Sequence, residues 1–161
     1  MKVVILAGGY GSRLSEYTKT IPKPMVKVLG KPIIHRIIDH YIAYGHYEFY
    51  IALGYKGLEL KKYFIKKRFP IKIKINLIDT GKNTMTGGRL RRLGKYLDET
   101  FLMTYGDGLS NVNLNKLINF HKKNKKTFTL TAVRPPARFG VIKINGNYVN
   151  YFKEKNTLDE G

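Results

Sequence analysis

The sequence predicts an α/β fold, a mostly parallel sheet covered by helices with a β-hairpin toward the C-terminus. Three observations predict it. Short apolar runs alternate with stretches of helical periodicity. The first run, Lys2 to Ala7, shows no polar alternation, as expected of a strand buried on both faces. Near the end, Asn145-Gly146-Asn147 sits between two alternating runs, which is hairpin turn chemistry.

The elements follow in order. Lys2 to Ala7 is the opening strand, and Gly8-Gly9 ends it. From Pro32 the apolar residues recur as Ile33, Ile34, Ile37, Ile38, Tyr41 and Ile42, a helix that starts at a proline and ends near Gly45. Glu48 to Leu53 is the next strand. Residues 58–68 form a basic amphipathic helix closed by Pro70. Lys72 to Ile78 alternates with period two and predicts a strand with one wetter face. Arg89 to Leu97 is helical and Phe101 to Tyr105 extended. Leu114 to Lys123 is a helix capped by Asn113, and Thr127 to Val133 is a further strand. Phe139 to Ile144 and Tyr148 to Phe152 make the hairpin. The pattern is βαβαβαβαβ plus a hairpin, a Rossmann-like order with no internal repeat and no domain boundary, so 1–161 is read as one domain.

Composition narrows the function classes. The 161 residues include 30 Lys+Arg against 11 Asp+Glu, a formal net charge of +19, and no cysteine. A disulfide framework, a thiolate metal site and a cysteine nucleophile are therefore excluded. Apolar runs are a few residues long, far below the ~20 that span a bilayer, and the opening run is too brief for a signal sequence. A cytoplasmic soluble protein is expected, with no membrane partner. The charge admits an anionic partner, but Lys far outnumbers Arg, so scattered solvated lysines also account for it.

Ligands of such sheets sit at the carboxyl ends of the strands, and the unusual residues lie there. Gly8-Gly9-Tyr10-Gly11-Ser12-Arg13 follows the first strand. Its glycines let backbone amides converge on phosphate oxygens, and Arg13 adds a permanently charged donor set. It is not the dinucleotide fingerprint, because Leu14 stands where a third glycine is needed, and no Walker sequence is present. Taken alone, the loop is equally an ordinary tight turn. In Ile21-Pro22-Lys23-Pro24-Met25 two prolines hold Lys23 in an extended segment.

The joint pattern Leu6-Ala7-Gly8-Gly9-Tyr10-Gly11-Ser12-Arg13-Leu14 with Pro22-Lys23-Pro24-Met25 resembles the signature of the sugar-1-phosphate nucleotidyltransferases. Asp79-Thr80-Gly81, Met85-Thr86-Gly87-Gly88-Arg89-Leu90, Thr104-Tyr105-Gly106-Asp107-Gly108, Pro135-Pro136-Ala137-Arg138-Phe139-Gly140 and Phe152-Lys153-Glu154-Lys155 are similar to its branch that uses CTP and glucose 1-phosphate. The resemblance implies in-line attack of a sugar phosphate oxygen on the nucleotide α-phosphorus, with pyrophosphate leaving, in nucleotide-sugar biosynthesis for cell-surface polysaccharide. It implies that Leu6, Ala7, Gly8, Gly9, Gly11 and Ser12 meet the nucleotide through backbone contact. Arg13 would stabilise the leaving pyrophosphate, Lys23 would bridge the reacting phosphates, and Asp107 would hold Mg²⁺. Thr80, Gly81, Thr86, Gly87, Gly88 and Arg89 would form the base pocket. Gly140, Glu154 and Lys155 would meet the sugar phosphate.

Read without the resemblance, Asp107 is a turn aspartate, Thr86 a helix cap and Lys153-Glu154-Lys155 a solvated edge. The connection Phe69 to Lys72 is shorter than in the family. The family also continues past the Glu-Lys site with a glycine-rich strand and a second metal-binding aspartate, so the chain is expected to be incomplete at its C-terminus. Alternatives within the fold are UTP or dTTP as substrate, or nucleotide binding without turnover. Nucleic-acid binding has only the charge behind it, and none is expected; homo-oligomerisation stays open.

Overall fold

The computed structural model describes residues 1–11, 20–133 and 140–154. Strands β1 (Lys2–Leu6), β4 (Glu48–Leu53), β5 (Lys74–Asp79) and β6 (Leu102–Tyr105) form one parallel four-stranded sheet in the order β5-β4-β1-β6. In register, Val4 lies beside Tyr50 on one side and Met103 on the other. The helices are α1 (Ile33–Ala43), α2 (Gly57–Lys66), α3 (Thr86–Leu93) and α4 (Leu114–Asn124).

Every side chain of β1 from Val3 to Leu6 is buried because the central strand is covered on both faces. Val3, Ile5, Phe49, Ile51 and Leu53 pack against Ile34, Ile37, Ile38 and Tyr41 of α1, Leu60 and Phe64 of α2, and Leu114 of α4. On the opposite face Val4, Leu6, Tyr50 and Ala52 pack against Leu93 of α3, with Tyr96, Leu97 and Phe101 around it. The period-two alternation between these clusters is the pleat of the strands.

Helix ends follow local chemistry. Pro32 occupies the cap of α1 with extended backbone. At the other end Gly45 takes φ +81, its amide bonds the Ile42 carbonyl and that of His46 bonds Tyr41, the paired closure that a left-handed glycine permits. Asn113 Oδ1 accepts the Lys116 amide at 3.0 Å, the expected cap of α4. Helix α3 begins three residues earlier than expected, at Thr86; Met85, not Thr86, is the cap residue, and a 3₁₀ turn, Gly94–Tyr96, finishes the segment.

The strand expected over 127–133 does not form. Phe128, Leu130 and Val133 are 67%, 66% and 79% exposed, and the sheet ends at β6. A strand needs a neighbour to pair its amides, and an alternating pattern alone does not supply one. His121 of α4 instead holds Thr129 by a 2.8 Å hydrogen bond. A small hairpin, β2 (Lys27–Val28) with β3 (Lys31–Pro32), was not evident from the pattern. Its turn puts Leu29 at φ +48 and Gly30 at φ +77, while Arg36 of α1 donates to the Val28 and Leu29 carbonyls at 2.8 and 3.1 Å.

The chain packs as two compact units, 1–118 and 119–161. In the second, β7 (Val141–Asn145) pairs antiparallel with β8 (Tyr148–Lys153) around Gly146, φ +59, with a register shift at Lys143/Ile144. This is the expected hairpin.

Candidate functional site

The carboxyl ends of the four parallel strands bring most of the expected residues of the first unit together. Ladder bonds continue past the strands: Ala7 N donates to Ala52 O at 3.0 Å, Tyr55 N to Gly8 O at 3.1 Å, Thr80 N to Leu53 O at 3.0 Å and Gly106 N to Leu6 O at 2.9 Å. The four loops are thereby tied to one another. Leu6 and Ala7 are buried and offer only their backbone. The chain then surfaces: Gly9 and Tyr10 are exposed, a Cβ on Gly9 would meet nothing within 4 Å, and Gly11 has φ +68. This turn is open on the solvent side, as approach of an anion to its amides requires. Ser12 and Arg13 lie outside the described residues, as does Lys155.

Lys23 does not stay extended. Pro22 is extended, but Lys23–Met25 is a 3₁₀ turn closed by the bonds Met25 N to Pro22 O and Val26 N to Lys23 O. The turn is positioned by Pro24, which is buried against Gly106; a Cβ on Gly106 would lie 2.9 Å from Pro24 Cγ and 3.2 Å from the Ala7 Cβ. That glycine lets Lys23 reach Asp107 in the next loop, and Lys23 Nζ and Asp107 Oδ2 form an ion pair. Both side chains remain partly open, 29% and 31% exposed. Asp107 sits in the turn closed by Gly108 N to Tyr105 O, so the turn role and the ion pair with Lys23 coexist.

Arg89, expected in the base pocket, bonds the backbone around it. It is 5% exposed, beneath the loops. Its Nη1 donates to Leu53 O at 3.0 Å, Thr80 Oγ1 at 2.8 Å and Gly81 O at 2.8 Å, and its Nη2 to Gly8 O at 2.7 Å. One guanidinium thus staples the ends of β1, β4 and β5, a use for which its planar fork of donors is suited. No carboxylate pairs with it among the described residues; burial, and then the charge of Arg92, push its pKa down, with Asp79 and Tyr10 opposing. Gly8 and Gly54 lack side chains because Arg89 fills that space.

Thr80 is fully buried, its hydroxyl donating to Leu53 O at 2.6 Å and accepting from Arg89. Gly81, φ +83, leaves room for Arg92, which donates to Thr80 O and Thr84 Oγ1. Thr86 and Gly87 open α3 at the surface with no side-chain cap on the first turn, and Gly88 packs close to Thr84. Leu53, Gly54, Lys56 and Asp79 line a cleft of about 390 Å³ between these loops and the start of α2.

Tyr10 carries no signal in the sequence beyond being an aromatic between glycines. Its ring packs on Tyr55 at 4.9 Å and its hydroxyl donates to Asn83 Oδ1. The pair joins the glycine turn to the loop after β4 and the loop after β5.

Asp107 is a partly exposed acceptor-only group of the kind a hard cation prefers. No cluster of three or more metal-ligating side chains occurs among the described residues. In the second unit, the register of Val141 with Lys153 puts Gly140 and Glu154 at the same open end of the hairpin. A Cβ on Gly140 would lie 2.9 Å from the Lys153 carbonyl.

Comparison with known proteins agrees with this picture. The profile of the nucleotidyl transferase family matches residues 2–160. Glucose-1-phosphate cytidylyltransferase of Salmonella typhimurium is 44% identical, the match covering 96% of this chain and 69% of that protein. A probable glucose-1-phosphate cytidylyltransferase of Bacillus subtilis is 38% identical over 99% of this chain and 70% of its own length. Among solved structures, HddC from Yersinia pseudotuberculosis, complexed with GMP-PN, superposes with a TM-score of 0.68 at 30% identity, over 96% of this chain and 69% of that one. The chain is shorter than these relatives.

Proposed function

Because this chain belongs to the nucleotidyltransferase family, we propose that it joins CTP to glucose 1-phosphate, giving CDP-glucose and pyrophosphate. Its kinship to proteins named for sugar-phosphate nucleotidyl transfer supports the general chemistry. The cytidine and glucose assignments rest on the 44% and 38% identity to the two cytidylyltransferases. The structural observation that carries the reading is the meeting of Lys23 and Asp107 beside the open glycine turn, at the carboxyl ends of β1 and β6.

A sugar phosphate oxygen attacks the α-phosphorus of CTP in line; the new P–O bond forms as the bond to the β-phosphate oxygen breaks, and pyrophosphate departs with the electron pair. Such a reaction asks the protein for position and charge rather than a covalent nucleophile. The amides around Gly9 and Gly11 take the triphosphate. Lys23 exchanges its bond to Asp107 for phosphate oxygens and holds them through the transfer, a preorganised cation already directed at the site. Asp107, released from Lys23, would hold Mg²⁺, which when bound supplies charge neutralisation for the phosphates. Arg89 acts from below by fixing the loops. Thr86, Gly87 and Gly88 offer first-turn amides of α3 to the nucleotide. Arg13 is assigned to the leaving pyrophosphate, and Gly140, Glu154 and Lys155 to the sugar phosphate.

Pyrophosphate release from each of CTP, UTP, dTTP and GTP with glucose 1-phosphate tests the reading. Preference for CTP is expected. Equal rates with all four would remove the cytidine assignment, and calorimetric binding of CTP without product would remove turnover by this chain.

A further inference from the structure

We propose that the outer face of α2 is an attachment surface for an anionic lipid bilayer. Leu58 and Ile65, seven residues apart and so stacked on one side of the helix, are 69% and 73% exposed. Their inward counterparts Leu60 and Phe64 are the ones that enter the core. Lys61 and Lys62 flank the exposed pair, Lys66 continues the row, and Lys67, Arg68 and Lys72 follow, with Ile71 41% exposed among them. Glu59 is the one acidic residue between 57 and 74, and it is already bridged to Lys62 at 2.9 Å. Aliphatic side chains standing in a field of cations match a surface that has both anionic headgroups and an apolar boundary.

Nucleic acid satisfies the cations but not the aliphatics. A phosphate backbone leaves Leu58 and Ile65 in water, and stacking on bases calls for exposed aromatics. The aromatic of this helix nearest the surface, Tyr63, is turned to His35, 2.6 Å away. Among the described residues no helix is long and apolar enough to cross a membrane. The sequence-level expectation of no membrane partner came from run length, which bears on spanning and not on surface attachment. Leu58 and Lys61 also border the cleft at the ends of β4 and β5, so attachment through α2 sets the cleft beside the lipid surface.

The test is co-sedimentation of the full chain with phosphatidylcholine vesicles, with and without phosphatidylglycerol. Binding is expected only when phosphatidylglycerol is present. Ile65→Asp should lower the partition coefficient about tenfold or more, and the triple reversal Lys62→Glu, Lys66→Glu, Arg68→Glu should abolish it, both with unchanged thermal midpoints. Ile142→Asp, in the hairpin of the second unit, should leave binding intact. Equal sedimentation of Ile65→Asp and wild type, binding to phosphatidylcholine alone, equal loss on Ile142→Asp, or displacement by duplex DNA at physiological salt would each overturn the proposal.

Discussion

Gly8→Ala should unfold the chain at a much lower temperature than Gly9→Ala, although the two glycines are neighbours in one turn. A Cβ on Gly8 would fall inside contact distance of Arg89 Nη1 and Cζ and 2.9 Å from the Gly54 amide nitrogen, which is backbone and cannot step aside. Arg89 has no free direction either, since its donors are committed to Gly8 O, Leu53 O, Thr80 Oγ1 and Gly81 O between 2.7 and 3.0 Å. Hydrogen bonds to a charged group contribute about 1.5–3 kcal/mol each, so losing two of the four costs about 3 kcal/mol or more. For a chain of this size that is roughly 10 °C in Tm. Gly9 faces open space, and its alanine should stay within about 0.5 kcal/mol of wild type. Thermal unfolding followed by circular dichroism measures both. A double-mutant cycle sharpens the point: in an Arg89→Ala background the two closest contacts are gone and only the one to the Gly54 amide remains, so Gly8→Ala should cost less than in wild type. Additive losses, or a Gly8→Ala midpoint equal to that of Gly9→Ala, would refute the staple.

Lys23→Ala and Asp107→Ala should each lower pyrophosphate release about a hundredfold while shifting stability by about 1 kcal/mol or less, because the pair is partly solvent-exposed; an early-melting mutant would make the pair structural instead. His46 is 7% exposed with neither ring nitrogen hydrogen-bonded, and burial holds its pKa below 6.5, with the chain N-terminus adding in the same sense. The unfolded chain therefore takes up a proton near pH 6.5 that the folded one refuses, so stability present above that pH is lost as the pH falls below it. His46→Leu should flatten the plot of Tm against pH over that window, and an unchanged slope would dismiss His46 as the source. Leu29 is 91% exposed at φ +48, a conformation asparagine tolerates better. Leu29→Asn should raise stability by about 0.5 kcal/mol or more; a loss in chemical denaturation would show that the leucine side chain has a contact of its own.

Much of this molecule is legible one segment at a time. The buried run of β1, the Pro32 start and Gly45 end of α1, the Asn113 cap and the Gly146 hairpin each depend on groups a few residues apart, so periodicity and turn chemistry suffice to place them. Residues 127–133 show where that reasoning stops: their alternation is real, but a strand is a property of two paired segments, and among the described residues none pairs with them. The glycine turn, Lys23 and Asp107 were recognisable as residues before their arrangement was known. Lys23 and Asp107 are 84 positions apart, and nothing local says that a proline packed on Gly106 will bring them together.

Arg89 and Thr80 mark the boundary most clearly. Their motif identifies them with the nucleotide, and sequence has no means of telling a residue that touches a ligand from one that holds the loops around it. The strand order β5-β4-β1-β6 brings three strand ends side by side, and the Arg89 guanidinium bonds carbonyl groups at all three. Residue type, strand and helix periods and the family signature were written in the chain itself. Burial of the guanidinium, the pairing of Lys23 with Asp107 and the outward turn of Leu58 and Ile65 came only from packing, because each depends on which groups distant in the chain the fold brings together or leaves uncovered.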